Sequence, residues 1–132
     1  MSRVQLALNV SDLDAAVGFY AKLFGVEPAK RRPGYANFAI ADPPLKLVLL
    51  ESGGAREPGP AGALNHLGIE VSSSGEVTDA TRRLAGEGLA TELEEQTTCC
   101  YALQDKVWVH DPDGAPWEVY TVLADAVAPT GR

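Results

Sequence analysis

Val4, Leu6, Leu8 and Val10 alternate with Gln5, Ala7 and Asn9 at the start of the chain. A period of two marks a half-buried strand. Ser11-Asp12-Leu13-Asp14 follows, where Ser11 can cap a helix and Asp14 supports its positive end. Leu13, Ala16, Val17, Tyr20, Leu23 and Phe24 then recur at helical spacing until Gly25, so residues 13–24 predict an amphipathic helix packed on a sheet. Pro28 to Pro33 reads as a short basic edge segment. Tyr35 to Ile40 and Leu45 to Glu51 read as strands parted by a turn at Asp42-Pro43-Pro44. Ser52 to Ala63, with Gly53, Gly54, Pro58, Gly59, Pro60 and Gly62, has the composition of a linker.

That linker falls near the middle of the chain, and the two sides of it repeat. Val4-Gln5-Leu6-Ala7-Leu8-Asn9-Val10 aligns with Asn65-His66-Leu67-Gly68-Ile69-Glu70-Val71 at an offset of 61. The same offset carries Leu23-Phe24-Gly25 onto Leu84-Ala85-Gly86, the end of a second, weaker helix containing Val77, Ala80 and Leu84. Pro44-Leu45-Lys46-Leu47 matches Pro116-Trp117-Glu118-Val119 at an offset of 72, so the second half has gained 11 residues before its last strand. Cys99 and Cys100 lie in that longer stretch. Two copies of a strand–helix–strands unit predict two sheets around a shared cavity, each with its other face under its own helix. Val4, Leu6 and Leu8 suit the helix side and leave Gln5 for the cavity. By the same alternation His66 departs from the side of Leu67 and Ile69, and Glu118 from the side of Trp117 and Val119.

Composition narrows the partners. The 132 residues hold 11 Lys and Arg against 18 Asp and Glu, a net charge of −7, which disfavours nucleic acid or an anionic membrane as a partner. Hydrophobic residues make up 45% and charged residues 22%, the balance of a globular domain. No apolar run approaches the roughly 20 residues that span a bilayer. Met1-Ser2-Arg3 leads directly into the first strand with no signal peptide, so a cytoplasmic protein is expected. Adjacent cysteines cannot staple distant segments, which excludes a disulfide scaffold.

Gln5, His66 and Glu118 offer an amide oxygen, an imidazole nitrogen and a carboxylate, donors suited to Fe(II), Mn(II), Ni(II) or Zn(II). Repeat symmetry defines a fourth place, held by Lys46, whose ammonium has no lone pair to give. Three ligands leave metal positions open, as in facial-triad oxygenases, whereas four would suit isomerase or hydrolytic chemistry. The plainer alternative is that Gln5 and His66 only hydrogen-bond inside a cavity. Cys99-Cys100 can grip one thiophilic ion or a trivalent arsenical if a turn lets both thiolates converge. Alternatively they are two small buried hydrophobes. Lys106 is either a positive charge for an oxyanion or thiolate, or a solvated lysine. His110, beside Asp111-Pro112-Asp113-Gly114, reads as a surface or turn residue, and Glu92-Leu93-Glu94-Glu95 as a solvated strand face. Trp108, Trp117, Tyr35 and Tyr120 belong to the core or to the cavity wall; the pattern does not separate the two.

With these residues in view the chain resembles the vicinal oxygen chelate superfamily of glyoxalases and extradiol dioxygenases. Within it, the chain is similar to the cadmium-induced protein and organoarsenical carbon–arsenic lyase family. The resemblance runs from about Ser2 to Val122. It is carried by Met1-Ser2-Arg3-Val4-Gln5-Leu6-Ala7-Leu8, Arg32-Pro33-Gly34-Tyr35-Ala36-Asn37-Phe38-Ala39-Ile40, Pro43-Pro44-Leu45-Lys46-Leu47-Val48-Leu49 and Asn65-His66-Leu67-Gly68. Cys99-Cys100-Tyr101-Ala102, Gln104-Asp105-Lys106-Val107-Trp108-Val109 and Pro116-Trp117-Glu118-Val119-Tyr120 complete it, and the vicinal cysteines beside the lysine-bearing strand are its specific part.

The resemblance implies an α+β fold of two tandem βαβββ modules forming a metal-lined cavity. It implies one domain over 1–123, with modules at 1–52 and 64–123, a linker at 53–63 and a tail at 124–132. It further implies an Fe(II)-dependent dioxygenase that cleaves the carbon–arsenic bond of trivalent organoarsenicals such as methylarsenite or aromatic arsenicals. Arsenite and, from methylarsenite, a one-carbon aldehyde would result. Matched position by position, Gln5, His66 and Glu118 take the metal, with Ni, Mn, Co or Zn as possible substitutes for iron. Cys99 and Cys100 take the arsenic, with Lys106 beside them, and dioxygen is the co-substrate. The linker Glu57 to Ala61 and the C-terminal tail differ in length from the family pattern. Two other readings compete: a non-catalytic cadmium- or arsenic-binding resistance protein, and a glyoxalase-like metalloenzyme acting on a small carbonyl compound. A monomer or a homodimer is compatible with two modules in one chain.

Overall fold

The computed structural model describes residues 2–51, 60–99 and 101–125. Most of the expected linker, Cys100 and the tail beyond Asp125 lie outside the described residues. Two compact units emerge, one of Val4–Leu67 and the other of Met1–Arg3 with Gly68–Arg132.

The first unit contains β1 (Arg3–Val10), α1 (Leu13–Phe24), β2 (Lys30–Arg32), β3 (Tyr35–Ile40) and β4 (Leu45–Glu51), followed by the short α2 (Pro60–Ala63) and the start of β5 (Leu64–Glu70). Its strands lie in the order β2-β3-β4-β1, with β1 parallel to β4 and β3 antiparallel to it. Helix α1 spans the expected residues 13–24, but its cap is Asp12 rather than Ser11. Asp12 Oδ1 accepts from Ala15 N at 3.1 Å. Glu51 Oε2 takes the Leu13 amide at 2.9 Å, tying the helix start to the end of β4. Gly25 closes the helix at φ 70°, a conformation glycine adopts without a Cβ penalty. Val10, Leu13, Val17, Ala36, Phe38, Ile40, Leu47 and Leu49 form the core beneath α1, with Leu6, Leu8 and Leu45 packed against it. Val4, assigned to the same side by alternation, is exposed because α1 does not reach the start of β1's apolar row.

The second unit holds the end of β5, α3 (Ser74–Gly86), β6 (Glu92–Cys99), β7 (Ala102–His110) and β8 (Pro116–Asp125), with strand order β8-β7-β6. Val71 N donates to Tyr120 O at 2.8 Å, which sets the exit of β5 beside β8. A capping box opens α3: Ser73 Oγ accepts from Glu76 N, and Glu76 Oε2 reaches back to Ser72 N at 2.8 Å. The apolar cluster under α3 is smaller, made of Val77, Ala80, Val107 and Val119 with Val71 and Leu84 beside it. Register shifts between Glu94 and Thr97, where Gln96 takes φ 49° and its amide donates to Asp105 Oδ1 at 2.7 Å. Such a bulge breaks the regularity of an edge strand and discourages pairing with another chain. Among the described residues no helix is long and apolar enough to cross a membrane.

Candidate metal and thiol site

In each unit the sheet face away from the helix carries buried polar side chains, and strand register shows which ones share it. In the first unit Gln5 stands opposite Lys46, Ala7 opposite Val48, and Asn37 opposite Val48 from the other side. In the second, Cys99 is opposite Ala102 and Thr97 opposite Gln104. Gln104, Lys106 and Trp108 are in turn opposite Val122, Tyr120 and Glu118. Cys99, Gln104, Lys106, Trp108, Glu118 and Tyr120 therefore share one face, while Val107 and Val119 turn to α3. The alternation expected for Glu118 against Trp117 and Val119 is what the register shows.

Gln5, His66, Glu118 and Lys106 are 4, 7, 3 and 2 % exposed. Gln5 and His66 meet in the first unit, Nε2 to Nε2 at 3.1 Å. The other imidazole nitrogen decides the tautomer. His66 Nδ1 lies 2.7 Å from Asn65 Oδ1, which can only accept, so Nδ1 carries the proton. Nε2 then holds a lone pair and accepts from the Gln5 amide. Asn65 is held in turn, its Nδ2 donating to Asn9 Oδ1 at 3.0 Å, and Asn9 Nδ2 donates to Gly62 O at 3.4 Å. An imidazole whose outer nitrogen donates to an oxygen keeps its other nitrogen unprotonated, the form that binds a divalent cation.

In the second unit Glu118 Oε1 lies 2.8 Å from Lys106 Nζ. The contact is electrostatic, since the oxygen makes no well-aligned hydrogen bond. The ammonium sits 5.5 Å from the centroid of the Trp108 ring, within cation–π range, and the indole nitrogen donates to Glu94 Oε1 at 3.3 Å. This overturns the reading of Lys106 as a solvated lysine: a fixed carboxylate and an aromatic face replace its water. Tyr120 donates its hydroxyl to Glu70 Oε1 at 3.1 Å, and Glu70 is also bridged to Arg3 at 2.9 Å. Burial, then the charges of Glu70 and Glu118, hold the Tyr120 phenol far above its ordinary range.

Cys99 is half-buried at the end of β6. Its carbonyl accepts from Gln104 Nε2 at 2.9 Å, while Gln104 Oε1 is buried with no hydrogen-bond partner. Tyr101, buried, takes φ 62°, a left-handed turn unusual for a bulky residue. Cys100 lies outside the described residues. Thr97, Thr98 and Cys99 belong to β6, paired with Gln104, Leu103 and Ala102 on β7, rather than to a loop. His110 is exposed at the end of β7, as a turn residue would be, and Asp111 Oδ1 takes the amides of Asp113 and Ala115.

Sequence patterning missed Gln104, Trp108, Glu94 and the Asn65–Asn9 pair as parts of the site. Period two from Lys106 would have found Gln104 and Trp108; nothing local announces Asn65 as the support of its neighbour's ring. Among the described residues no three His, Cys, Asp or Glu side chains gather. The first unit offers an unprotonated imidazole nitrogen beside an amide, and the second a buried carboxylate beside an ammonium; side chains of these types are donors that suit a divalent cation.

The chain belongs to the Glyoxalase/Bleomycin resistance protein/Dioxygenase superfamily, whose family model matches residues 3–119. Its fold is the mixed α+β fold of that superfamily. The 2,3-dioxygenase LapB from Pseudomonas sp. KL28 superposes with a TM-score of 0.68 at 17% identity, over 96% of this chain and 43% of that one. Among curated relatives, the cadmium-induced protein CadI of Mycobacterium tuberculosis is 67% identical over 96% of this chain and 80% of its own length. A trivalent organoarsenical cleaving enzyme of Thermomonospora curvata is 64% identical over 96% of this chain and 81% of its own length.

Proposed function

We propose that this protein is an Fe(II)-dependent dioxygenase that cleaves the carbon–arsenic bond of trivalent organoarsenicals and releases arsenite. The observation that carries the reading is the common sheet face of Cys99 and the buried Glu118: a soft sulfur donor for arsenic beside a hard oxygen donor for a metal. The likeness to an organoarsenical cleaving enzyme supports the same substrate class.

Gln5, His66 and Glu118 would hold the metal, the imidazole through Nε2 and the other two through oxygen. Bound there, Fe(II) supplies the redox chemistry by which dioxygen attacks the organic group. The protein's own part is placement. Cys99 and Cys100 bind arsenic(III) as thiolates, and Gln104 ties the Cys99 carbonyl so that the sulfur is presented from a fixed backbone. Asn65 keeps the His66 lone pair directed inward. Lys106 adds positive charge on the face where an arsenical would lie. For methylarsenite the balance closes with one dioxygen: CH3As(OH)2 and O2 give formaldehyde and As(OH)3. A cytoplasmic location suits this chemistry because both thiols must stay reduced.

The test is arsenite release from methylarsenite in air, by protein freshly loaded with Fe(II) against a metal-free control. Iron-dependent release, with an aldehyde in equal amount, is expected. Stoichiometric binding without release over many equivalents would instead support the sequestering role suggested by the name of the cadmium-induced relative.

A further inference from the structure

Lys106 is the most buried charged residue described, and its ammonium rests on a carboxylate the reading above gives to a metal. A lysine is a poor choice for filling such a position. Its side chain loses much rotamer freedom on burial, and its charge must be matched. Three features show that it is held for its charge. Glu118 Oε1 is at 2.8 Å, the ammonium lies 5.5 Å from the centroid of the Trp108 ring, and Glu94, opposite Lys106 on β6, accepts from the indole.

We propose that Lys106 is the resident counter-ion of Glu118, holding the carboxylate in place until a divalent cation takes the same oxygen. Ammonium and metal then compete for one carboxylate, and the lysine sets how tightly the centre holds its metal. The geometry makes the competition direct. A cation bound to Oε1 at the usual distance of about 2.1 Å would stand within roughly 5 Å of Nζ, where two positive charges repel strongly in a medium of low dielectric. The proposal rests on Glu118 being a metal ligand and adds a role for a residue that cannot itself ligate.

The experiment titrates Mn(II) against a fluorescent chelator with wild type, Lys106→Met, Lys106→Arg, Glu118→Gln and the Lys106→Met/Glu118→Gln double variant. Thermal unfolding is followed with and without Mn(II). Lys106→Met is expected to bind Mn(II) at least about tenfold tighter than wild type, because the like charge is gone. Its metal-free form should melt lower, and its rise in Tm on adding Mn(II) should be the larger. Lys106→Arg, which keeps the charge, should stay near wild type. The double variant should recover metal-free stability and lose the response to Mn(II). If Lys106→Met does not fold without metal, refolding in Mn(II) alone would restore it. A chain that stays unfolded in both conditions would show that metal cannot replace the ammonium and would overturn the proposal. Unchanged or weaker Mn(II) affinity in Lys106→Met, while Glu118→Gln loses binding, would overturn the exchange and leave Glu118 as a ligand. Equal binding by wild type and Glu118→Gln would remove both.

Discussion

Asn65→Ala offers a test of the metal centre that touches no proposed ligand. The Asn65 carboxamide fixes the His66 tautomer through one bond of 2.7 Å and is itself held by Asn9 at 3.0 Å. Removing it leaves the Nδ1 proton without its protein acceptor and lets the ring turn or exchange tautomers. Loss of an outer-sphere partner of this kind typically costs about 10–100-fold in metal affinity. Asn65 is exposed, so water recovers part of the bond, and a neutral hydrogen bond is worth only about 0.5–1.5 kcal/mol net. The expected loss is therefore at the lower end, about tenfold or ~1.4 kcal/mol. Asn9→Ala, one bond further out, should lose about threefold by the same reasoning. The assay is chelator competition with Fe(II) under nitrogen, with circular dichroism to show that the fold is kept. If Asn65→Ala binds Fe(II) within twofold of wild type while His66→Ala fails to bind it, the tautomer argument is wrong and the imidazole is oriented by something else.

Other outcomes follow from the same geometry. Cys99→Ser and Cys100→Ser should each weaken methylarsenite binding by about tenfold or more, since a two-point grip becomes one-point, with Fe(II) affinity unchanged; full arsenical affinity in either would end the two-thiolate clamp. Phe38→Ala empties the centre of the core beneath α1 and should cost about 3–5 kcal/mol in chemical denaturation. A loss under 1 kcal/mol would mean that the core is not packed as described. Tyr120 keeps its proton in the folded protein far above the ordinary value of 10.0, whereas the unfolded chain releases it there. The folded state thus binds more protons at alkaline pH. This contribution is complete below pH 10.0 and falls by about 1.4 kcal/mol per unit above it. Tyr120→Phe should flatten that part of the stability–pH curve, and an identical slope in the variant would remove the argument.

The main strands and the first helix were legible in the sequence because each strand has one face that must be apolar. Leu6, Leu8, Leu45, Leu47 and Leu49 pack toward α1, and their odd or even partners Gln5 and Lys46 are thereby assigned to the other side. Strands β3 and β4 and helix α1 fall at the expected residues for that reason. What patterning could not give were contacts that cross strands diagonally or pass through a neighbour's ring. Lys106 looks like any surface lysine until register sets it beside Glu118 and above Trp108. The Asp12 cap shows the same limit on a smaller scale: Ser11 and Asp12 are both good caps, and only the position of Leu13 against Glu51 chooses between them.

The placement of polar residues argues that these sheet faces are kept for chemistry. The first unit buries Gln5, Asn37, Lys46 and His66, and the second buries Gln104, Lys106 and Glu118 on the face its helix leaves bare. Apolar side chains of similar volume at these positions would be neutral or more stable, as replacing buried ion pairs often shows. The helix-facing positions of the same strands are filled in just that way, with Leu47, Phe38, Val107 and Val119. One chain thus follows two rules on the two sides of each strand. Repeat symmetry sharpens the point, since equivalent places hold Gln5 and His66, and Lys46 and Glu118. The proposed metal centre would use such differences, since two copies of one residue cannot supply a nitrogen donor, a neutral oxygen and a carboxylate. The departures from symmetry fall on the faces turned away from the helices, while the helix-facing side chains between them stay apolar in both units, so packing against the helices did not require the change.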